Sequence, residues 1–184
     1  IQGQVIEGSS YQRAVEGEPI GVFFMPKFLG VDPDNGDALF LGEDDKPTND
    51  YDAAKRVIVG DPNPDFTGGF TNNFSYKGFD LNIFFSFVSG NEIYNNGGRF
   101  MTAGFGGGRD NQTRDILDRW QNPGDITNVP KLGLVFPSGE RTSSRWIYDG
   151  SYIRLRQLSI GYNIPSVVTK SLKISNARFF VAGT

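Results

Sequence analysis

Asp32, Asp34 and Glu43 occupy positions 1, 3 and 12 of a twelve-residue stretch, the spacing at which carboxylates encircle calcium in an EF-hand loop. Such a loop needs glycine at position 6 for its sharp turn; here that residue is Asp37, and Gly36 stands one place early. The stretch is therefore read as an acidic turn, with calcium at Asp32, Asp34 and Glu43 the weaker alternative. Gly104, Gly106 and Gly108 approach the spacing of a dinucleotide loop, but Arg109 fills the third glycine's place and no βαβ pattern surrounds it. Asp44 and Asp45 are two acids, as glycoside hydrolysis requires, yet they are adjacent on a polar stretch rather than set across a cleft. The chain contains no His and no Cys. A Ser-His-Asp triad, a thiol nucleophile, a disulfide and a His- or Cys-built zinc site cannot be assembled from it. No catalytic role and no cofactor are expected. What remains is recognition by flat and charged side chains: Arg145, Trp146, Tyr148 and Trp120 are the expected contacts for a substrate or partner, with Phe100 and Phe105 nearby. Trp120 also fits a small core within its own segment.

The elements that would carry these residues are strands. Twenty-four Gly, 10 Pro and 16 Phe among 184 residues favour strands and turns over helices. A formal charge of −3 leaves no basic excess with which to neutralise phosphates, so nucleic acid is not an expected partner. The longest apolar runs, such as Ile83-Phe84-Phe85, fall far short of the roughly 20 residues that a spanning helix needs. Any membrane role must fall to strands.

Two alternating stretches over residues 66–89 flank Lys77-Gly78. A two-residue turn there pairs residues whose numbers sum to 155, and paired residues share a face of the sheet. One face then carries Phe70, Phe74, Tyr76, Phe79, Leu81, Ile83, Phe85 and Phe87, with Asn72 its single polar member. The other face is mostly polar or small. Each strand offers about eleven residues, close to the ~9–11 that a tilted strand needs to cross hydrocarbon and about twice the length usual in sandwiches. The apolar face is accordingly read as lipid-facing, with Tyr76 and Phe79 at the interface.

A second hairpin is expected over residues 151–182, its strands 151–164 and 172–182 joined across 165–171. Leu158, Ile160, Tyr162 and Ile164 alternate with polar or small residues, but Ile153 and Leu155 have the opposite parity. Either a bulge lies near Arg156-Gln157 or that end stands clear of the membrane. Between the hairpins, residues 90–150 read as one long loop. A short helix capped by Thr113 or Asn111 would carry Ile116, Leu117 and Trp120 on one face and stop at Pro123. Short turns at one end and a long loop at the other make the loop extracellular.

Three blocks carry a family resemblance: GEPIGVFFMPKFLGVDPDNG over 17–36, VIVGDPNPDFTGGFTNNFSYKGFDLNIFFSFVSGNEIYN over 57–95, and SYIRLRQLSIGYNIP over 151–165. In this order they resemble the C-terminal barrel region of SusC/RagA-like TonB-dependent outer-membrane transporters, over most of the chain. The family's Asn-Leu continuation after its final strand is missing. The resemblance implies an all-β fold: an antiparallel transmembrane β-barrel of about 22 strands, closed around a plug, of which residues 1–184 form a C-terminal fragment. It implies uptake of glycan or peptide oligomers across a Gram-negative outer membrane. It also implies a SusD-like surface lipoprotein as lid, and TonB acting through an N-terminal region absent from this chain. The alternative is a soluble all-β carbohydrate-binding module displayed at a cell surface. On the barrel reading, open strand edges lack partners in lipid, so residues 1–184 expressed alone should aggregate or stay unfolded. A monodisperse soluble product with a cooperative unfolding transition would decide for the module.

Overall fold

The structure is a computed structural model in which residues 5–9, 11–102, 111–133 and 138–184 are described. The glycine-rich stretch with Gly104, Gly106, Gly108 and Arg109, and Phe105 within it, lies outside the described residues. The first strands are β1 (Val5–Glu7), β2 (Gln12–Val15), β3 (Val22–Pro26) and β4 (Phe28–Val31). They are followed by β5 (Ala38–Leu41), β6 (Pro47–Thr48) and β7 (Arg56–Gly60). Two long strands come next, β8 (Phe66–Tyr76) and β9 (Phe79–Ser89). Then follow β10 (Glu92–Tyr94), helix α1 (Asn96–Met101), three 3₁₀ turns, β11 (Ile147–Asp149), β12 (Tyr152–Asn163), helix α2 (Ser166–Ser171) and β13 (Arg178–Gly183). The chain divides into two compact units, one of Ile1–Asn63 with Asn91–Asp149 and one of Pro64–Gly90 with Gly150–Thr184.

The second unit is a single antiparallel sheet in the order β13-β12-β9-β8. β8 and β9 pair from Phe66 opposite Ser89 to Tyr76 opposite Phe79, the register that a two-residue turn dictates. Lys77 and Gly78 both have positive φ, 45° and 88°, as a type I′ hairpin turn requires. A side chain at Gly78 would also come within 2.9 Å of the Asn163 carbonyl oxygen. On β12, Leu155 faces Phe85 and Gln157 faces Phe84, so Arg156 is the extra residue of a bulge. One extra residue reverses the parity, which puts Ile153 and Leu155 on the same face as Leu158, Ile160 and Tyr162. Of the two readings open from the sequence, the bulge is the one adopted.

The last strand differs from expectation. It begins at Arg178 rather than Leu172, and within the expected link Ser166–Ser171 form α2. Val167, Val168 and Thr169 are β-branched and have low helix propensity, and a helix of six residues has too few turns to show a 3.6-residue period. Pro165 sets the entry with φ −56°, and Lys173 leaves the helical region with φ 54°. The expected helix after Thr113 is likewise reduced to a 3₁₀ turn, Arg114–Asp118, without a side-chain cap, and Leu117 is exposed.

The first unit holds three small sheets, ordered β1-β2-β3-β7, β4-β5-β6 and β10-β11. Its core is built from Val22, Phe23, Met25, Ala38, Phe40, Ala54 and Trp146. Phe40 meets the edges of Phe28 and Tyr51 at 6.1 and 5.4 Å between ring centroids. Tyr11 stacks on Tyr94 at 4.3 Å. Tyr94, Thr142 and Ser144, all between the two hairpins, are thus tied to the N-terminal third of the chain: Tyr94 stacks on Tyr11, the Thr142 carbonyl accepts from the Tyr51 hydroxyl, and Ser144 Oγ accepts from the Phe28 N–H.

On the polar face of the long sheet, Asp80 of β9 and Arg178 of β13 meet across the intervening β12. Arg178 donates from Nε and Nη2 to the two carboxylate oxygens of Asp80, and Asn163 Nδ2 adds a 3.3 Å hydrogen bond to the same group. The passage exists because residue 161 is glycine: a Cβ there would lie 2.5 Å from Arg178 Nη2 and 2.7 Å from both Asp80 oxygens. Gly161→Val should displace the ion pair and destabilise β13 by about 1–3 kcal/mol, the range for forced overpacking. Asp80→Asn, which keeps the space and removes the charge, should cost less. Hydrogen exchange at the β13 amides in the intact protein checks both, and equal protection in wild type and Gly161→Val would refute the account.

Candidate functional site: an apolar wall and a mixed cavity

The pairing registers align the side chains of the long sheet in rows. Tyr76, Phe79, Tyr162 and Phe179 form one row across all four strands, beside the β8–β9 turn. Phe74, Leu81, Ile160 and Val181 form the next, and then come Asn72 with Ile83 and Leu158, Phe70 with Phe85 and Leu155, and Gly68 with Phe87 and Ile153. All eight residues expected on one face thus share it, with Asn72 in its middle and Ser89, opposite Phe66, at its end as polar members. Phe70, Phe74, Tyr76 and Phe79 are 51, 58, 69 and 57 % exposed, while Leu81, Ile83, Phe85 and Phe87 are half-buried among their neighbours. Phe87 lies over Gly68, whose added Cβ would meet the ring at 2.7 Å, so the bare glycine is covered from the adjacent strand. Phe84 does the same for Gly69 on the other face.

Dimensions give this face a meaning. Eleven residues at about 3.3 Å each span roughly 36 Å, and a tilt of about 45° reduces the rise to about 25 Å, the height of the apolar band of a membrane barrel. Leaving so many large apolar groups in water would forfeit about 1.5–3 kcal/mol for each one that could be buried. A one-layer sheet with an uncovered apolar face, an aromatic row at one end and a polar face behind is built as barrel walls are built.

The first unit contains a cavity of about 460 Å³ whose lining includes Phe28, Thr102, Asp115, Asn128, Arg145 and Tyr148. Arg145 is half-buried, and its guanidinium lies 4.5 Å from the Trp146 ring centroid and 5.9 Å from that of Phe28. It donates from Nη1 to the Gly139 carbonyl at 2.8 Å. Burial pushes the Arg145 guanidinium down to about 10, which leaves it charged at neutral pH. Tyr148, on β11 opposite Ile93, is 49 % exposed. One cation, one carboxylate and two rings suit a polar oligomer with flat faces. The sequence pointed to Arg145 and Tyr148; Phe28, Thr102 and Asp115 come from distant segments and had no local signal.

Trp146 is 1 % exposed, with its indole N–H donating to the Arg141 carbonyl at 3.2 Å, and it contributes to the cavity lining as the floor beneath Arg145. Trp120 is half-buried and acts as a clasp. Its Nε1–H donates to the Pro33 carbonyl at 3.0 Å, its ring covers Gly36, and Lys131 Nζ reaches Asp37 at 3.1 Å. The acidic turn beneath is held by its own side chains: Asp32 accepts from the Asp34 amide at 2.9 Å and from Asn35 Nδ2 at 2.8 Å. Asp34 and Glu43 are exposed, and no group of three or more metal-ligating side chains occurs among the described residues. Phe100 is 42 % exposed, with Arg99 over its ring.

Comparison with known proteins agrees with the wall. No protein-family model matches the chain. It is 36 % identical over 183 residues to the TonB-dependent receptor P3 of Formosa agariphila, a match covering 91 % of this chain and 17 % of that protein. It is 31 % identical over 200 residues to the TonB-dependent receptor P26 of the same organism, covering 96 % of this chain and 19 % of that protein. Among solved structures, the RagAB peptide transporter superposes with a TM-score of 0.81 at 25 % identity, covering 96 % of this chain and 20 % of that one. The chain is thus a relative of the TonB-dependent receptors, similar to their SusC/RagA-like branch, and it spans about a fifth of the length of the relatives it matches.

The Trp120 clasp is testable through Gly36, where φ is +77° and an added Cβ would lie 2.4 Å from the ring. Gly36→Ala should therefore suffer both backbone strain, about 1–2 kcal/mol, and a clash. Gly17→Ala, at φ +84° with nothing within 4 Å, should suffer the strain alone. Limited proteolysis should open residues 120–131 in Gly36→Ala and not in Gly17→Ala; equal resistance would count against the clasp.

Proposed function

We propose that the chain is the C-terminal part of the wall and outer face of an outer-membrane TonB-dependent importer of glycan or peptide oligomers. The observation that carries this reading is the row-by-row apolar face of the long sheet, continuous across four strands and uncovered. A soluble carbohydrate-binding sandwich would need a second sheet packed on that face, and all four strands of this unit belong to one layer. The name of the RagAB neighbours, a peptide importer, favours oligomer uptake, and the likeness to them favours a SusD-like lipoprotein as partner. TonB would act through a region outside these residues. The barrel is taken as the large plugged type, with about 22 strands. Residues 90–150 are assigned to the extracellular side, where Arg145 and Tyr148 meet substrate or lid. Trp120 shapes that surface from within.

Lipid contact predicts a depth gradient. Ile83→Arg, near the middle of the band, should destabilise the assembled barrel by about 2–4 kcal/mol, and Phe79→Arg, in the interfacial row, by about 0–1 kcal/mol. Heat-modifiable mobility of the full-length receptor extracted from outer membranes measures this; equal effects at the two positions would sink the lipid-facing assignment. The side of residues 90–150 can be read from Ile126→Cys, at a position 90 % exposed in a chain without competing cysteine. Labelling of intact cells with an impermeant maleimide is expected, and labelling only after permeabilisation would reverse the inside-outside assignment.

A further inference from the structure

A second, smaller cavity in the first unit, about 240 Å³, is lined by Tyr51, Arg99, Glu140, Arg141 and Thr142. Two cations face it. Arg99, in the last turn of α1, rests on the Phe100 ring at 4.6 Å and donates from Nη1 to Thr142 Oγ1 at 2.6 Å. Its Nε is buried and, among the described residues, has no hydrogen-bond partner. Arg141 lies over the Tyr51 ring at 5.0 Å, and the Tyr51 hydroxyl is fixed by donating to the Thr142 carbonyl at 2.8 Å. Arg56 of β7 is also near that hydroxyl. Glu140 lines the cavity, but among the described residues no ion pair joins it to Arg99 or Arg141.

An orphaned buried donor costs about 1–3 kcal/mol, more on a charged group, and therefore marks a place where a partner belongs. The geometry of the remaining donors indicates which group fits them. With Nη1 of Arg99 committed to Thr142, the Nε–Nη2 edge remains, and two parallel N–H groups on that edge match the two oxygens of a carboxylate. Arg141 supplies a second positive charge, and the Tyr51 ring supplies a flat wall. The volume lies below the ~300–1,000 Å³ of pockets that engulf a drug-sized ligand, which fits capture of one terminal group.

We propose that Arg99 and Arg141 form a carboxylate subsite that holds an acidic end of an oligomeric solute. The subsite lies apart from the lining of the Arg145–Tyr148 cavity and deepens the import reading by naming the charge of the solute. Two sources of the group are a peptide C-terminus and a uronate sugar, so the probes are N-acetylalanine with its amide and glucuronate with its methyl ester. Equilibrium dialysis against the full-length receptor in detergent should show saturable binding of at least one carboxylate below about 10 mM and none of its neutral analogue. Which acid binds identifies the source. Arg99→Lys, which keeps the charge and loses the fork, and Arg141→Gln, at an exposed position that tolerates exchange, should each weaken binding at least about tenfold. Equal binding of acid and neutral analogue, unchanged affinity in both variants, absence of binding to wild type, or displacement by sulfate as effective as by either acid would overturn the proposal. Because dialysis does not require transport, a receptor that binds the acid but fails to import any solute would spare the subsite and refute the import reading.

Discussion

The two-residue period of the pleat is the constraint on which the long sheet depends. Along each strand it assigns alternate side chains to opposite media, so every strand must agree with its neighbours in register and in parity. Lys77-Gly78 sets the agreement between β8 and β9, since a type I′ turn admits one register. β12 is out of phase with itself, and Arg156 corrects it by standing outside the ladder. Without that residue, Ile153 and Leu155 would turn to the polar side and two rows of the apolar face would end at β9. Agreement reaches β13 through Phe179 and Val181, while Phe180 and Ala182 take the polar face.

A second level of organisation rests on missing side chains. Gly68 and Gly69 receive the rings of Phe87 and Phe84, and Gly161 lets Asp80 and Arg178 join across an intervening strand. In each case the glycine's lack of a Cβ is the space another residue occupies. The aromatic rings lying on Gly68 and Gly69 restore the packing that a bare backbone would lose, and they explain why Phe84 sits on an otherwise polar face. Gly36 under Trp120 repeats the device in the first unit, with a positive φ as an added reason for glycine.

How much of this was legible depends on the range of the interaction. The hairpin from Phe66 to Ser89 was readable residue by residue, because its period, turn and pairing are all local. The parity break near Arg156 was visible as a conflict, but choosing the bulge required knowing that β9 continues opposite. The start of the last strand reads as Leu172 rather than Arg178, and the link before it hides the helix at 166–171, because a helix of six residues is too short to show a 3.6-residue period. The site was the least readable part. Trp146 looks like a surface residue beside Arg145 and Tyr148, yet Ser143, Trp146 and Met25 are among the most buried side chains of the first unit. Arg99 and Arg141 carry no sequence signal, since what distinguishes them is an unsatisfied nitrogen and a shared cavity, neither of which has a spacing.

The β8–β9 turn has one further contact: the Gly78 carbonyl accepts the Asn163 backbone N–H at 2.8 Å. The tip of the hairpin is therefore stitched to the end of β12. Hairpin tips are the habitual choice for inserting an epitope or affinity tag, because most of them touch nothing. This one is a poor choice, since an insertion between Lys77 and Gly78 would unpick a third strand. The side chain of Ile126, 90 % exposed, is the better location for a fluorophore, because a label there replaces a side chain and leaves the backbone hydrogen bonds of that segment in place.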